Sequence, residues 1–242
     1  TKLVDLITDK EKTYEAVMRL GVVTDTQDMT GTILSQTEQI SVTEKEVKEA
    51  AESFLGEQLQ IPPMYSALKV NGKKLYELAR EGKTVERKPR PVHFYQIEIL
   101  EINLPLVRYR VVCSKGTYIR TLCHDMGEKL GCGAAMESLV RTKVGKFELK
   151  DAITLAQVEE AVKSGAIQGK VLGIEEILGE YPRICCKEEG DRLLANGNPL
   201  PQGVVSGCEK QGWIRMCSSG GAFAGVYQWD ERRFLYFPVK MF

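Results

Sequence analysis

Residues 106–131, LVRYRVVCSKGTYIRTLCHDMGEKLG, change their hydrophobic period once, and that change decides the fold. In the first half Val107, Tyr109 and Val111 alternate with Arg108 and Arg110, the period-2 pattern of a strand with one apolar face. From Thr117 the period becomes 3.6: Ile119, Leu122, Cys123, Met126 and Leu130 share one side, and Gly131 stands at the position that favours positive φ after a helix. Upstream, residues 92–102 read as a second strand, predicted to pair antiparallel with 106–113 across the "NLP" turn. Thr43 and Glu46 form a capping box ahead of Val47, Ala50, Ala51 and Phe54, which predicts a helix over 43–54. Gly72 to Arg80 reads as a shorter helix stopped by Gly82, and Thr154 with Gln157 opens another that ends near Gly165. Strands and helices in this irregular order predict an α+β fold, a mostly antiparallel mixed sheet with flanking helices. After about residue 178 the texture changes to short apolar pieces broken by glycine, such as "LLANGNPLPQG" and "WIRMCSSGGAFAGVYQW". A small all-β domain over 179–242 is expected there, following a larger domain over 1–178.

Composition bounds the function. With 43% hydrophobic and 27% charged residues among 242, the chain can bury a substantial core, and no apolar run approaches the ~20 residues that span a bilayer. Seven cysteines without a C-x-x-C spacing, and only two histidines, His93 and His124, give no expectation of a metal centre. The cysteines read as reduced thiols of a cytoplasmic protein, and the adjacent Cys185–Cys186 pair would bridge only with strain. There is no Walker loop, G-x-S-x-G elbow, H-E-x-x-H or dinucleotide fingerprint. The net charge is zero, yet it is unevenly distributed. Residues 61–150 carry 17 basic residues against 9 acidic ones, whereas residues 1–60 carry 6 against 12. Between Lys69 and Arg90 the basic residues are Lys69, Lys73, Lys74, Arg80, Lys83, Arg87, Lys88 and Arg90, a face suited to phosphates. Tyrosines and arginines beside such lysines, in "KTYEA" (12–16), "PPMYSALKVNGKKLYELAREG" (62–82) and "CSKGTYIRTL" (113–122), suit an unstacked nucleobase.

Three long stretches carry a more specific signal: "DKEKTYEAVMRLGVVTDTQDMTG", "IPPMYSALKVNGKKLYELAREG" and "CSKGTYIRTLCHDMGEKLGCGAAMESLVRTKVGKF". They closely resemble successive motifs of the bacterial TruB-type tRNA pseudouridine synthases, over most of residues 1–150. The tail with "LLANGNPLPQG" resembles the small PUA domain that follows the catalytic domain in that family. The resemblance implies an isomerase that converts uridine 55 in the T-loop of tRNA to pseudouridine without a cofactor. The implied partner is the T-arm stem-loop, bound by a cytoplasmic monomer with no membrane association.

The resemblance also assigns roles. Tyr14 matches the tyrosine that stacks on the flipped base and is a candidate for taking its proton. Arg120 matches the arginine that pairs with the catalytic carboxylate, and its planar fork suits that task. Tyr118 matches a substrate-pocket tyrosine, and Leu139, in a stretch read as helical, matches the apolar residue that contacts the uridine. Lys2 matches a phosphate-contacting lysine. Met64, Tyr65 and Lys69 either shape the pocket or touch RNA, and Lys73 and Lys74 belong to the basic face. The nucleophilic Asp of the family lies in a "GHTGTLDP"-like motif that these residues do not contain, and Asp5, Asp9 and Asp125 align with other positions. Arg120 is therefore expected without an anionic partner, and residues 1–242 alone are expected to be inactive. The competing expectation is a non-catalytic module that binds or folds tRNA.

Overall fold

The computed structural model describes residues 2–7, 11–70 and 72–242, Asp5 by its backbone alone. The chain divides into two compact units, residues 6–152 and residues 153–242 together with 1–5.

The single turn α1 (Val4–Ile7) ends inside the larger unit, which in chain order then runs through β1 (Lys12–Leu20), β2 (Val22–Thr24), β3 (Ile33–Gln36), α2 (Glu44–Glu52), β4 (Gly56–Gln60), β5 (Lys69–Val70), β6 (Lys73–Lys74), α3 (Leu75–Arg80), β7 (Arg90–Asn103), β8 (Leu106–Cys113), α4 (Ile119–Lys129), β9 (Ala134–Val144) and β10 (Phe147–Glu148). Six strands form one antiparallel sheet in the order β10-β9-β1-β8-β7-β4. The alternation in "LVRYRVVC" is realised: Val107, Tyr109, Val111 and Cys113 are buried with Met18 and Leu20 of β1. Arg108 and Arg110 turn outward, where both bind Glu15 at 2.7 and 2.9 Å. Onto the apolar face packs α4, through Ile119, Leu122, Cys123 and Met126. Each such buried side chain contributes about 1.5–3 kcal/mol. Inside this layer the Tyr109 hydroxyl and the Cys123 thiol lie 3.0 Å apart, and burial pushes that thiol up to about 12.

Two expectations change. The helix predicted from Gly72 starts only at Leu75, because Lys73 and Lys74 pair with Val70 and Lys69 as a two-residue hairpin. Leu139 lies in strand β9 and is 39% exposed: it pairs with Ala16 across the β1–β9 ladder, a long-range partner that the helical reading ignored.

The second unit holds α5 (Leu155–Lys163), α6 (Ile174–Ile177), β11 (Arg183–Cys185), α7 (Glu188–Ala195), β12 (Leu200–Pro201), β13 (Trp213–Cys217), β14 (Phe223–Asp230) and β15 (Leu235–Met241). Its five strands run in the order β11-β13-β14-β15-β12 around Ile214, Met216, Tyr227, Trp229 and Tyr236. The sheet module expected near the C-terminus is present, with α7 added to it. Leu194 of that helix is buried in the same core. No helix among the described residues is long and apolar enough to cross a membrane.

At Gly127 the packing of the larger unit is backbone against backbone. A Cβ added at Gly127 of α4 would stand 2.1 Å from the Ala134 nitrogen, so the helix can lie against the start of β9 only with glycine there. Gly127→Ala is expected to destabilise the unit by about 1–3 kcal/mol or more. Gly169→Ala, where a Cβ meets open space, should be nearly neutral. Denaturant melts compare the two, and equal stabilities would contradict this packing.

Candidate active site

Strand β8 delivers the chain to the site and α4 begins it. Tyr118 occupies the N-cap of α4 with an extended backbone (φ −101°, ψ 109°), and its side chain does not cap the helix. Arg120, in the first turn, is a cation at the end of a helix where the dipole favours anions. An arginine there calls for a nearby carboxylate, and the fold provides one. Arg120 Nη1 lies 3.0 Å from Asp28 Oδ2 and 3.4 Å from the Thr26 carbonyl. The expectation of an unpartnered Arg120 is thus corrected: Asp28, 92 residues earlier in "TDTQDMTG", is its partner.

Asp28 is itself held from several sides. Its Oδ1 accepts from the Thr26 hydroxyl at 2.9 Å, the Thr30 amide at 3.0 Å and the Thr30 hydroxyl. Burial raises its pKa, but the Thr30 and Thr26 bonds and the Arg120 charge outweigh this and hold the carboxyl below its ordinary range. The loop is tied to β9 through Met29 N–H to Met136 O and Met136 N–H to Gln27 O, both 3.0 Å. Gln27 takes a left-handed backbone (φ 63°), and its amide oxygen accepts from the buried Thr121 hydroxyl at 2.7 Å. A carboxylate with both oxygens occupied is suited to orienting Arg120 and poorly suited to attack. Among the described residues, Nε and Nη2 of Arg120 have no partner, which leaves one edge of the fork available.

On the sheet face against which α4 packs, β1 and β9 bring three more side chains together. Tyr14 is opposite Arg141 and Ala16 is opposite Leu139, so Tyr14, Leu139 and Arg141 project from the same face of the sheet. Tyr14 is half-buried. Burial first, and the Cys113 thiol second, raise its pKa, while a hydrogen bond and the charge of Arg141 pull it down. Arg141, like Asp28, Gln27 and Thr121, was missed in the sequence. Its signal was its place two residues beyond Leu139, but that becomes visible only once the stretch is read as a strand.

The basic stretch is only partly free. Lys73 and Lys83 both reach Glu81, at 3.4 and 2.7 Å. Lys74 donates to the Tyr76 hydroxyl at 3.1 Å. Lys69 is exposed opposite Lys74 in the β5–β6 hairpin, and Met64 and Tyr65 are half-buried in the loop before it. Arg87 Nη1 donates to the Pro62 carbonyl at 3.1 Å, closing a groove of about 330 Å³ that Lys69, Lys88 and Arg90 also line. Lys2 is exposed in the turn before α1. Of the acidic residues set aside above, Asp9 and the Asp5 side chain lie outside the described residues, and burial raises the Asp125 carboxyl. No group of three or more His, Cys, Asp or Glu among the described residues is arranged to hold a metal ion.

Residues 1–119 match the family described as TruB family pseudouridylate synthase (N terminal domain), and residues 120–178 match the tRNA pseudouridylate synthase B C-terminal domain. A tRNA pseudouridine synthase B of Lachnoclostridium phytofermentans is 46% identical over 100% of this chain and 83% of its own length. One from Clostridium tetani is 47% identical over 81% of this chain and 67% of its own. Among solved structures, an H/ACA RNP bound to a substrate RNA containing 2'-deoxyuridine is similar with a TM-score of 0.69 at 20% identity, covering 100% of this chain and 69% of that one. A Cbf5-Nop10-Gar1 complex gives 0.69 at 23% identity with the same coverage. These two likenesses speak for the fold. The two family matches and the identity to relatives along the whole length together place this chain in the TruB family of pseudouridylate synthases.

Proposed function

We propose that the protein isomerises uridine 55 in the T-loop of tRNA to pseudouridine. The observation that carries this reading is the Arg120 fork, held by Asp28 at the start of α4 near the sheet face that presents Tyr14 and Leu139. The names of the similar curated proteins, tRNA pseudouridine synthase B, support the substrate class. In the reaction the N1–C1′ bond breaks, the uracil rotates, C5 bonds to C1′ and the C5 proton leaves. Composition and oxidation state are unchanged, so the chemistry itself requires no cofactor.

The residues divide that work. The extruded base stacks on Tyr14, with Leu139 against its edge and Tyr118 at the mouth of the pocket. Stacking returns about 1–3 kcal/mol of the few that extrusion costs. The free edge of Arg120 orients the carboxylate that attends C1′. We assign that carboxylate to the family's Asp motif, outside residues 1–242, because Asp28 is fully engaged. Tyr14, with its raised pKa, enters the reaction as the neutral phenol, so it accepts the C5 proton only while releasing its own hydroxyl proton to solvent water. Arg141, whose charge favours phenolate, eases that exchange.

Lys69, Lys73, Lys74 and Lys2 bind phosphates of the T-arm, and Met64 and Tyr65 support the loop that carries the first three. We assign catalysis to residues 1–178, a boundary at which the second family match also ends, and RNA binding to a PUA-like domain over 179–242. The protein acts as a cytoplasmic monomer.

Two measurements on the product of the complete gene test this. Tritium release from C5-labelled uridine in a T-loop RNA should show turnover, and Tyr14→Phe should bind that RNA within about threefold while turning over at least about 100-fold more slowly. Near-normal turnover would remove Tyr14 from proton transfer. Replacing Lys73, Lys74 and Lys83 together by alanine should weaken binding and lower the slope of log affinity against log salt by roughly one unit for each phosphate that is no longer neutralised. An unchanged slope would place the RNA elsewhere.

A further inference from the structure

The first turn of α4 has a third support, from the end of strand β4. Gln60 ends the edge strand β4 and is only 4% exposed. Its side-chain oxygen accepts the Tyr118 N–H at 2.8 Å, and its side-chain nitrogen donates to the Tyr118 carbonyl at 3.0 Å. One amide therefore satisfies both polar groups of one peptide residue, as a paired strand would. The same Tyr118 carbonyl also accepts the first helical bond of α4, from Leu122 N–H at 3.1 Å. Tyr118 is thus the point where the chain turns from the β8 side into the helix, and Arg120 follows it by two residues. With Gln27 fixing Thr121 and Asp28 fixing the guanidinium, Gln60 fixes the backbone from which both pocket side chains project.

We propose that Gln60 is a positioning residue of the active site: its amide sets the peptide orientation at Tyr118, and through it the direction of Tyr118 and Arg120. The inference rests on the pseudouridine synthase reading. The chemistry singles out glutamine at this position. Asparagine is one methylene short, methionine has the length without donor or acceptor, and glutamate has the shape but only acceptors while ionised. Ionised glutamate would set an oxygen against the Tyr118 carbonyl oxygen. Protonated glutamic acid would donate to it and restore the pair, and burial raises the pKa at which that occurs.

The test uses the product of the complete gene, wild type, Gln60→Glu and Gln60→Met, each checked by thermal melting, with a T-loop RNA. A misplaced reacting group costs up to about 100-fold, so both variants should lose roughly 10- to 100-fold in the single-turnover rate near pH 8. RNA affinity should stay within about threefold. The deficit of Gln60→Glu should narrow as the pH falls toward 6, while that of Gln60→Met stays flat. Gln60→Glu, being isosteric, carries the test if Gln60→Met fails to fold. Unchanged rates in folded variants, a loss confined to affinity, or a Gln60→Glu deficit independent of pH would each overturn the proposal. An inactive wild type would instead overturn the functional reading, and this inference with it.

Discussion

The Asp28–Arg120 pair, 3.0 Å long, is the interaction on which the rest of the site depends. It joins two segments 92 residues apart and is mostly shielded from water, with side-chain exposures of 13% and 28%. Taking two charges out of water is costly, and further hydrogen bonds to the carboxylate offset part of that cost. Thr26 and Thr30 donate them. The pair also offsets the unfavourable position of a cation in the first turn of a helix. Without Asp28, the guanidinium would be free to swing away from the sheet face that carries Tyr14.

The exposed lysines of the basic stretch are held differently from the Asp28–Arg120 pair. Lys73 and Lys83 share Glu81 on an exposed hairpin and helix end, and surface pairs of this kind contribute only about 0–1 kcal/mol. Phosphates can therefore replace Glu81 as the partner of these lysines at small cost. On the opposite face of the sheet, Glu15 bridges Arg108 and Arg110, and Arg110 continues to Glu98 at 3.0 Å. Those arginines are already committed to their own sheet. Basic residues in the middle of the chain are thus of two kinds, which a segment charge cannot distinguish.

Local signals were legible in the sequence. Both capping boxes, at Thr43 with Glu46 and at Thr154 with Gln157, form as read, because their bonds span three residues. The alternation of residues 107–111 also holds, and the helix expected from Thr117 begins two residues later, at Ile119. What failed or was missed depends on distant partners. Leu139 looks helical by composition and becomes a strand residue because β1 offers it a ladder. Asp28 is one of several polar residues in "TDTQDMTG", and only the approach of α4 selects it. Helix α7 was hidden by the glycines and prolines around it, and is stabilised by burying Leu194 in the core of the second sheet. The family resemblance marked Arg120 and Tyr14, but the residues that orient them emerge only from the folded chain.

A double-mutant cycle on Asp28 and Arg120, read as the single-turnover rate of pseudouridine formation by the product of the complete gene, tests the central claim most directly. If Asp28 acts through Arg120, Asp28→Asn and Arg120→Lys will each slow the reaction, and the double variant will be about as slow as the slower single one. Rate losses that multiply, or an Asp28→Asn enzyme as fast as the parent, would contradict it.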